Sequence, residues 1–156
     1  MNTRLICINP NPCIEITGFA DEVYRERVES LRGTELFQSL QSRDILFIDS
    51  SHAITTGNDV VFLYLTILPL LRPGVLIHIH DIFLPYDYPE KWVVHVRWGW
   101  NEQNLVQVLL MGTTAFEVLW AGYYLQRTQH DFGRYFPHLK GRTAQSLWLR
   151  KGSGRS

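Results

Sequence analysis

The sequence predicts an α/β domain on a mostly parallel sheet, and three features carry that expectation. Two continuous apolar runs, Asp44-Ile-Leu-Phe-Ile-Asp49 and Val75-Leu-Ile-His-Ile-His-Asp81, each close on a carboxylate. That is the pattern of strands covered on both faces in a parallel sheet. Between them, Asp59 to Leu71 is apolar nearly all round and stops at Arg72-Pro-Gly74, as a buried helix does. Strand, loop, helix, turn and strand make a βαβ unit. Its right-handed crossover sets the loops after Asp49 and Asp81 side by side at the carboxyl edge of the sheet.

Ahead of this unit, Arg4 to Asn9 is a buried strand that runs into Asn9-Pro-Asn-Pro12, where two prolines end it. Glu22 to Val28 fits a short strand or a helix about equally, with strand preferred, and Gly33 separates it from the next segment. Thr34 to Gln41 is expected to be a short helix, with Thr34 as N-cap and Leu36, Phe37 and Leu40 at helical spacing. Ser50 to Asn58 is a polar loop. Ile82 to Trp100 has no clean periodicity and reads as a long loop, with room for a short helix, of a length that often forms a lid. Asn101 to Met111 is helical through Leu105, Val108 and Leu109, and Phe116 to Leu125 is strand-like. Gln126 to Gln145 is polar and irregular. Ser146 to Arg150 alternates as a final strand, and Gly152 to Ser156 is a frayed tail, which leaves one domain over 1–151. No internal repeat is present.

Composition narrows the partners. At 156 residues and 46% hydrophobic content, the chain suffices for one buried core. Fifteen basic and fifteen acidic side chains cancel, so nothing in the charge points to nucleic acid or an anionic membrane. The apolar stretch Val60 to Leu71 is interrupted by Tyr64, Thr66 and Pro69 and is shorter than the ~20 residues of a membrane span. Arg4 precedes only Leu5 to Ile8, too brief for a secretory segment, so the cytoplasm is the expected location. Cys7 and Cys13 have no second pair to complete a zinc site or a disulfide framework, and they read as free or buried thiols.

Chemistry concentrates at the two strand ends. Asp49-Ser-Ser-His52 places a carboxylate, two hydroxyls and an imidazole in one loop, and His80-Asp81 repeats the arrangement on the neighbouring strand. Open α/β sheets bind ligands at this edge. Two carboxylates and two imidazoles converging there suit either a divalent metal or proton removal from a substrate hydroxyl. Taken singly, each aspartate reads as a cap and each histidine as a satisfied core residue; four together favour a site. His78 shares a strand face with His80 and reads as core or as support for the site, while His95, His130 and His138 are isolated. Trp92, Trp98 and Trp100, with Phe83, Tyr86 and Tyr88, wall an apolar substrate pocket or are simply core.

The segments Asp44-Ile-Leu-Phe-Ile-Asp-Ser-Ser-His52, Leu68-Pro-Leu-Leu-Arg-Pro-Gly-Val75 and His78-Ile-His-Asp-Ile-Phe-Leu-Pro85 carry a family resemblance. So do Asp87-Tyr-Pro89, Trp100-Asn-Glu-Gln103 and Ser146-Leu-Trp-Leu149. Together they resemble class I S-adenosylmethionine-dependent methyltransferases, in the bacterial branch with an Asp-x-x-His loop and a His-Asp-Ile-Phe-Leu-Pro segment. The resemblance implies a Rossmann-like three-layer α/β/α sheet in which Asp49 ends the fourth strand, Asp81 the fifth and Asn9 the second. The first strand and helix are then expected to be lacking, and with them the glycine-rich turn, since no Gly-x-Gly-x-Gly occurs.

The same resemblance implies roles. Asn9 stands where the family holds an acid for ribose hydroxyls, and Asp49 and Ser50 join it as cofactor contacts, with Asp49 near the reacting methyl group. Glu29 and Ser30 fall near the family's adenine contact. Asp49 and Asp81 are candidate metal ligands, although the metal-dependent catechol-type relatives follow the second aspartate with Asn where this chain has Ile82. His52 or His80, with Asp81, is the expected base for O-methyl transfer to a small-molecule or sugar hydroxyl. A catalytically inactive remnant or interaction module is the alternative, with a second copy or a complementing chain covering the strand edge. A metal-dependent hydrolase ranks last.

Overall fold

The structure is a computed structural model that describes residues 3–12, 16 and 18–154. Its architecture is mixed α/β and Rossmann-like, with six strands in two sheets among the described residues. β1 (Ile6–Ile8) and β2 (Glu22–Tyr24) pair in parallel, Ile6 opposite Glu22 and Ile8 opposite Tyr24. β3 (Ile45–Ile48), β4 (Leu76–Ile79), β5 (Phe116–Ala121) and β6 (Leu147–Lys151) form a second sheet in the order β3-β4-β6-β5. β3 and β4 are parallel, as their helical crossover requires, whereas β4–β6 and β5–β6 are antiparallel.

The crossover helix runs over 59–70 as α1 (Asp59–Phe62), a π-helical stretch (Leu63–Ile67) and α2 (Leu68–Leu70). Asn58 caps its start, its side-chain oxygen accepting from the Val61 amide at 3.2 Å. Pro69 has no amide proton, and its ring crowds the carbonyl one turn back; the widened turn just before it relieves both problems. The return to β4 passes through Gly74 at φ +88, where a Cβ would strike the Ser42 side chain.

The core lies on one face of the four-stranded sheet. Ile48, Ile77, Ile79, Leu147 and Leu149 pack there against Val60, Phe62, Tyr64 and Leu68 of the crossover and Val106 of α3 (Glu102–Leu110). The opposite face carries Phe47, His78 and Trp148 as a row, with ring centroids 4.8 and 4.4 Å apart.

Several expectations change here. β3 is not covered on both faces: Ile45 and Phe47 are 53% and 54% exposed, because they project from the sheet face opposite the one packed under the crossover helix and α3. The segment after Gly33 is turns rather than a helix. A single i to i+4 bond forms, from the Ser39 amide to the Glu35 carbonyl, and the Ser39 hydroxyl bonds the Leu36 carbonyl instead of extending it. The strand starting at Phe116 stops at Ala121, and α4 (Gly122–Thr128) takes over. At Gly122 the chain passes so close to β6 that a Cβ would lie 3.1 Å from the Ser146 carbonyl oxygen. The long loop contains a π-helical turn, Lys91–Val96, in keeping with the short helix allowed for there, whereas the region read as irregular contains α5 (Phe132–Tyr135) and a 3-10 turn, Pro137–Leu139.

Cys7 is a half-buried free thiol, and Cys13 lies outside the described residues. Gly152, expected in the tail, donates its amide to the Ala115 carbonyl at 2.8 Å, while Arg155 and Ser156 lie outside the described residues. Among the described residues no helix is long and apolar enough to cross a membrane.

Candidate functional site

Both strand-end loops leave the sheet through strained backbone. His52 and Asp81 have φ of +58 and +56, a region that costs a non-glycine residue about 1–3 kcal/mol and that clusters at functional sites. The surroundings hold His52 there. Its carbonyl accepts the amides of Asn101 and Glu102 at 2.9 and 3.1 Å, and the Asn101 side chain accepts the Ile54 amide. Ser51 donates its amide and its hydroxyl to Asp59, at 2.7 and 2.6 Å, which ties the loop to the start of the crossover helix.

Four residues singled out by sequence converge at this edge. His52 Nε2 lies 3.4 Å from Asp49 Oδ1 and 3.7 Å from Asp81 Oδ2. His80 Nδ1 lies 3.3 Å from Asp81 Oδ1 and 3.6 Å from Asp49 Oδ1. These are ion-pair separations rather than formed hydrogen bonds, and both His80 Nδ1 and Asp81 Oδ1 are buried without a hydrogen-bond partner among the described residues. The two histidines differ in access. His52 is 6% exposed and packed under Trp100, with ring centroids 4.2 Å apart, whereas the His80 side chain is 40% exposed.

The residue that the sequence did not flag is Glu102. It is fully buried at the first position of α3, and both of its oxygens are engaged: Ser50 Oγ donates to one at 2.8 Å, and His52 Nδ1 lies 2.8 Å from the other. An acid at a helix start normally reads as a solvated charge favoured by the dipole, so only its place beside Trp100 and Gln103 hinted at more. Gln103, also buried, accepts the Phe83 amide and donates to the Tyr86 carbonyl, holding the loop after β4.

Burial and charge act in opposite directions on these groups. Burial alone lowers the His52 pKa, but the bond to Glu102 and the charges of Glu102, Asp81 and Asp49 outweigh it, and the net shift is upward. Burial raises the Asp81 carboxyl, Asp49 adds to the rise, and the neighbouring histidines only partly offset it. Tyr64, fully buried near Glu102, is pushed well above the usual tyrosine range, first by burial and then by that carboxylate. His78 is lowered by burial and by His80.

On the open sheet face, a groove of about 660 Å³ runs past His80 and is lined by His78, Trp120, Phe136, His138 and Trp148. Of the two readings open for the aromatics of residues 83–100, mutual packing is the one seen. Trp92 meets Phe83, Trp98 and Trp100 at centroid distances of 5.2, 5.0 and 5.1 Å. Asn9 stands apart on the other sheet, where its side-chain oxygen accepts the Asn11 amide. Ser50 is turned inward to Glu102.

The expected metal ligation at Asp49 and Asp81 is not supported. Among the described residues no group of three or more His, Cys, Asp or Glu side chains is disposed to hold an ion. The imidazole of His52 instead lies within ion-pair distance of both carboxylates.

A family model described as a methyltransferase domain matches residues 1–82, which spans β1 to β4 and includes Asp49, His52, His80 and Asp81. No curated protein and no solved structure matches the chain.

Proposed function

Because the chain belongs to this methyltransferase-domain family, we propose that it transfers a methyl group from S-adenosylmethionine to a hydroxyl of a small molecule or sugar, with His80 as the base. The observation that carries the assignment is the contrast between the two imidazoles. His52 is 6% exposed, packed under Trp100 and turned with both nitrogens toward carboxylates, so it presents no nitrogen to the groove. His80 turns Nδ1 toward Asp81 and Asp49 and lines the groove. Carboxylates beside Nδ1 favour the tautomer with its proton there, which leaves Nε2 free to take the acceptor's proton.

The aromatic walls of the groove, Trp120, Phe136 and Trp148, suit the flat apolar face of an aromatic or sugar acceptor. Asn9 and Asp49, at the carboxyl ends of β1 and β3, are the side chains that would hold the cofactor. The Asp49 carboxylate is half exposed and, among the described residues, the nearest side-chain cation or imidazole nitrogen is that of His52 at 3.4 Å, which leaves it available for that contact. When bound, the cofactor supplies an electrophilic sulfonium methyl group. The Asp-x-x-His and His-Asp-Ile-Phe-Leu-Pro segments support placement in the bacterial branch that carries both.

Isothermal titration of the folded protein with S-adenosylhomocysteine tests the reading: binding heat is expected, and its absence overturns it. In the same reading, His80→Gln lowers methyl transfer from labelled S-adenosylmethionine to a panel of phenols and sugars by about 10²–10⁴-fold while leaving cofactor affinity unchanged.

A second reading is favoured by the free edge of β3, whose exposed Ile45 and Phe47 suit an interaction module covered by another chain or a second copy. Light scattering after size exclusion separates the two-copy form from the rest, because a strict monomer at high concentration counts against it.

A further inference from the structure

Glu102 makes no approach to the groove, yet everything at the strand end after β3 leads back to it. Its carboxylate joins the Ser50 hydroxyl and the His52 imidazole, and its own amide, together with that of Asn101, holds the His52 carbonyl. The Ser50 hydroxyl in turn accepts the His52 amide at 3.1 Å, which closes a ring of bonds around a left-handed residue. A buried carboxylate gives up its hydration and persists only where such partners replace it. With Nδ1 fixed by Glu102, the far nitrogen of His52 has one direction to point, between Asp49 and Asp81. Those two aspartates are also the ones that face His80.

We infer that Glu102 is the positioning residue of the site: it acts through His52 to hold Asp49 and Asp81 in the arrangement that orients His80. The chain of contacts is Glu102 to His52, His52 to both aspartates, and both aspartates to His80, spanning three elements that are remote in sequence. It rests on the methyl-transfer reading only for the use made of His80. The arrangement itself stands or falls on its own.

Proton and nitrogen magnetic resonance of histidine-labelled protein tests it without cofactor or acceptor. The wild type is expected to show a low-field Nδ1–H resonance that His52→Gln removes. Glu102→Gln should abolish that resonance and also move the His80 nitrogen signals, although residue 102 does not touch His80. Ser50→Ala should keep the resonance. Leu149→Ala, which weakens the core without touching this network, should leave the His80 signals in place.

The inference fails if the low-field resonance survives Glu102→Gln, or if Leu149→Ala moves the His80 signals as far as Glu102→Gln does. Should Glu102→Gln not fold, Glu102→Asp serves instead: the shorter carboxylate is expected to shift the resonance upfield, and an unchanged position overturns the assignment. A wild-type protein that shows these signals but gives no heat with S-adenosylhomocysteine counts against methyl transfer and leaves Glu102 in place.

Discussion

The two faces of the four-stranded sheet are made from similar strands and do opposite things. One face is an apolar interior in which Ile77, Ile79 and Leu149 are fully buried under the crossover helix and α3. The other leaves Phe47 more than half exposed and sets imidazoles and indoles in a row across the strands. Stability resides on the first face, and the groove with its chemistry lies on the second. The candidate site sits at the carboxyl edge where they meet, and so it draws on a rigid floor and an open approach.

The largest effect that tests this contrast is on the covered face. Leu149→Ala removes a fully buried side chain and is expected to destabilise the fold by about 2–5 kcal/mol, read from urea unfolding. The matched truncation on the other face, Phe47→Ala, is expected to cost about 1 kcal/mol or less, because it gives up one ring contact with His78 and little burial. Equal costs would break the comparison and mean that the second face is covered in solution. Between these lies Asn58→Ala, which unties the cap of the helix over the core and should cost about 1 kcal/mol.

The smallest effect is a slope with pH. Because the folded pKa of His52 is raised above its ordinary 6.5, its contribution to stability is fully present below that pH and is lost as pH rises through the folded value. Unfolding free energy should therefore decline above pH 6.5, and Glu102→Gln should flatten that part of the profile.

The βαβ unit was legible because its signals are local. Two apolar runs end on carboxylates, and a helix between them is bounded by Asn58 and by Pro73-Gly74. The meeting of Asp49, His52, His80 and Asp81 followed from that unit alone, because parallel strands joined by one crossover bring their carboxyl ends together. The exposure of β3 was not legible. A run such as Ile45-Leu-Phe-Ile48 has the same apolar pattern whether one face of its sheet is covered or both, and only the packing of the other elements decides. Tyr123 to Leu125 suited a strand by residue type, and the close pass of Gly122 against Ser146 that turns the chain is a tertiary event. Glu102 was invisible for a related reason. Its partners lie 50 and 52 positions away, and no periodicity links a helix's first acid to a distant loop.

The left-handed backbone at His52 carries one more implication, for how this site can be rebuilt. A loop whose strained residue is gripped at its carbonyl and its ring by another segment has no conformation of its own to carry elsewhere. Residues 49–54, residues 58–59 and residues 101–102 are thus a single module in three pieces, and a graft of the Asp-x-x-His loop onto another scaffold would have to bring the starts of the crossover helix and of α3 with it.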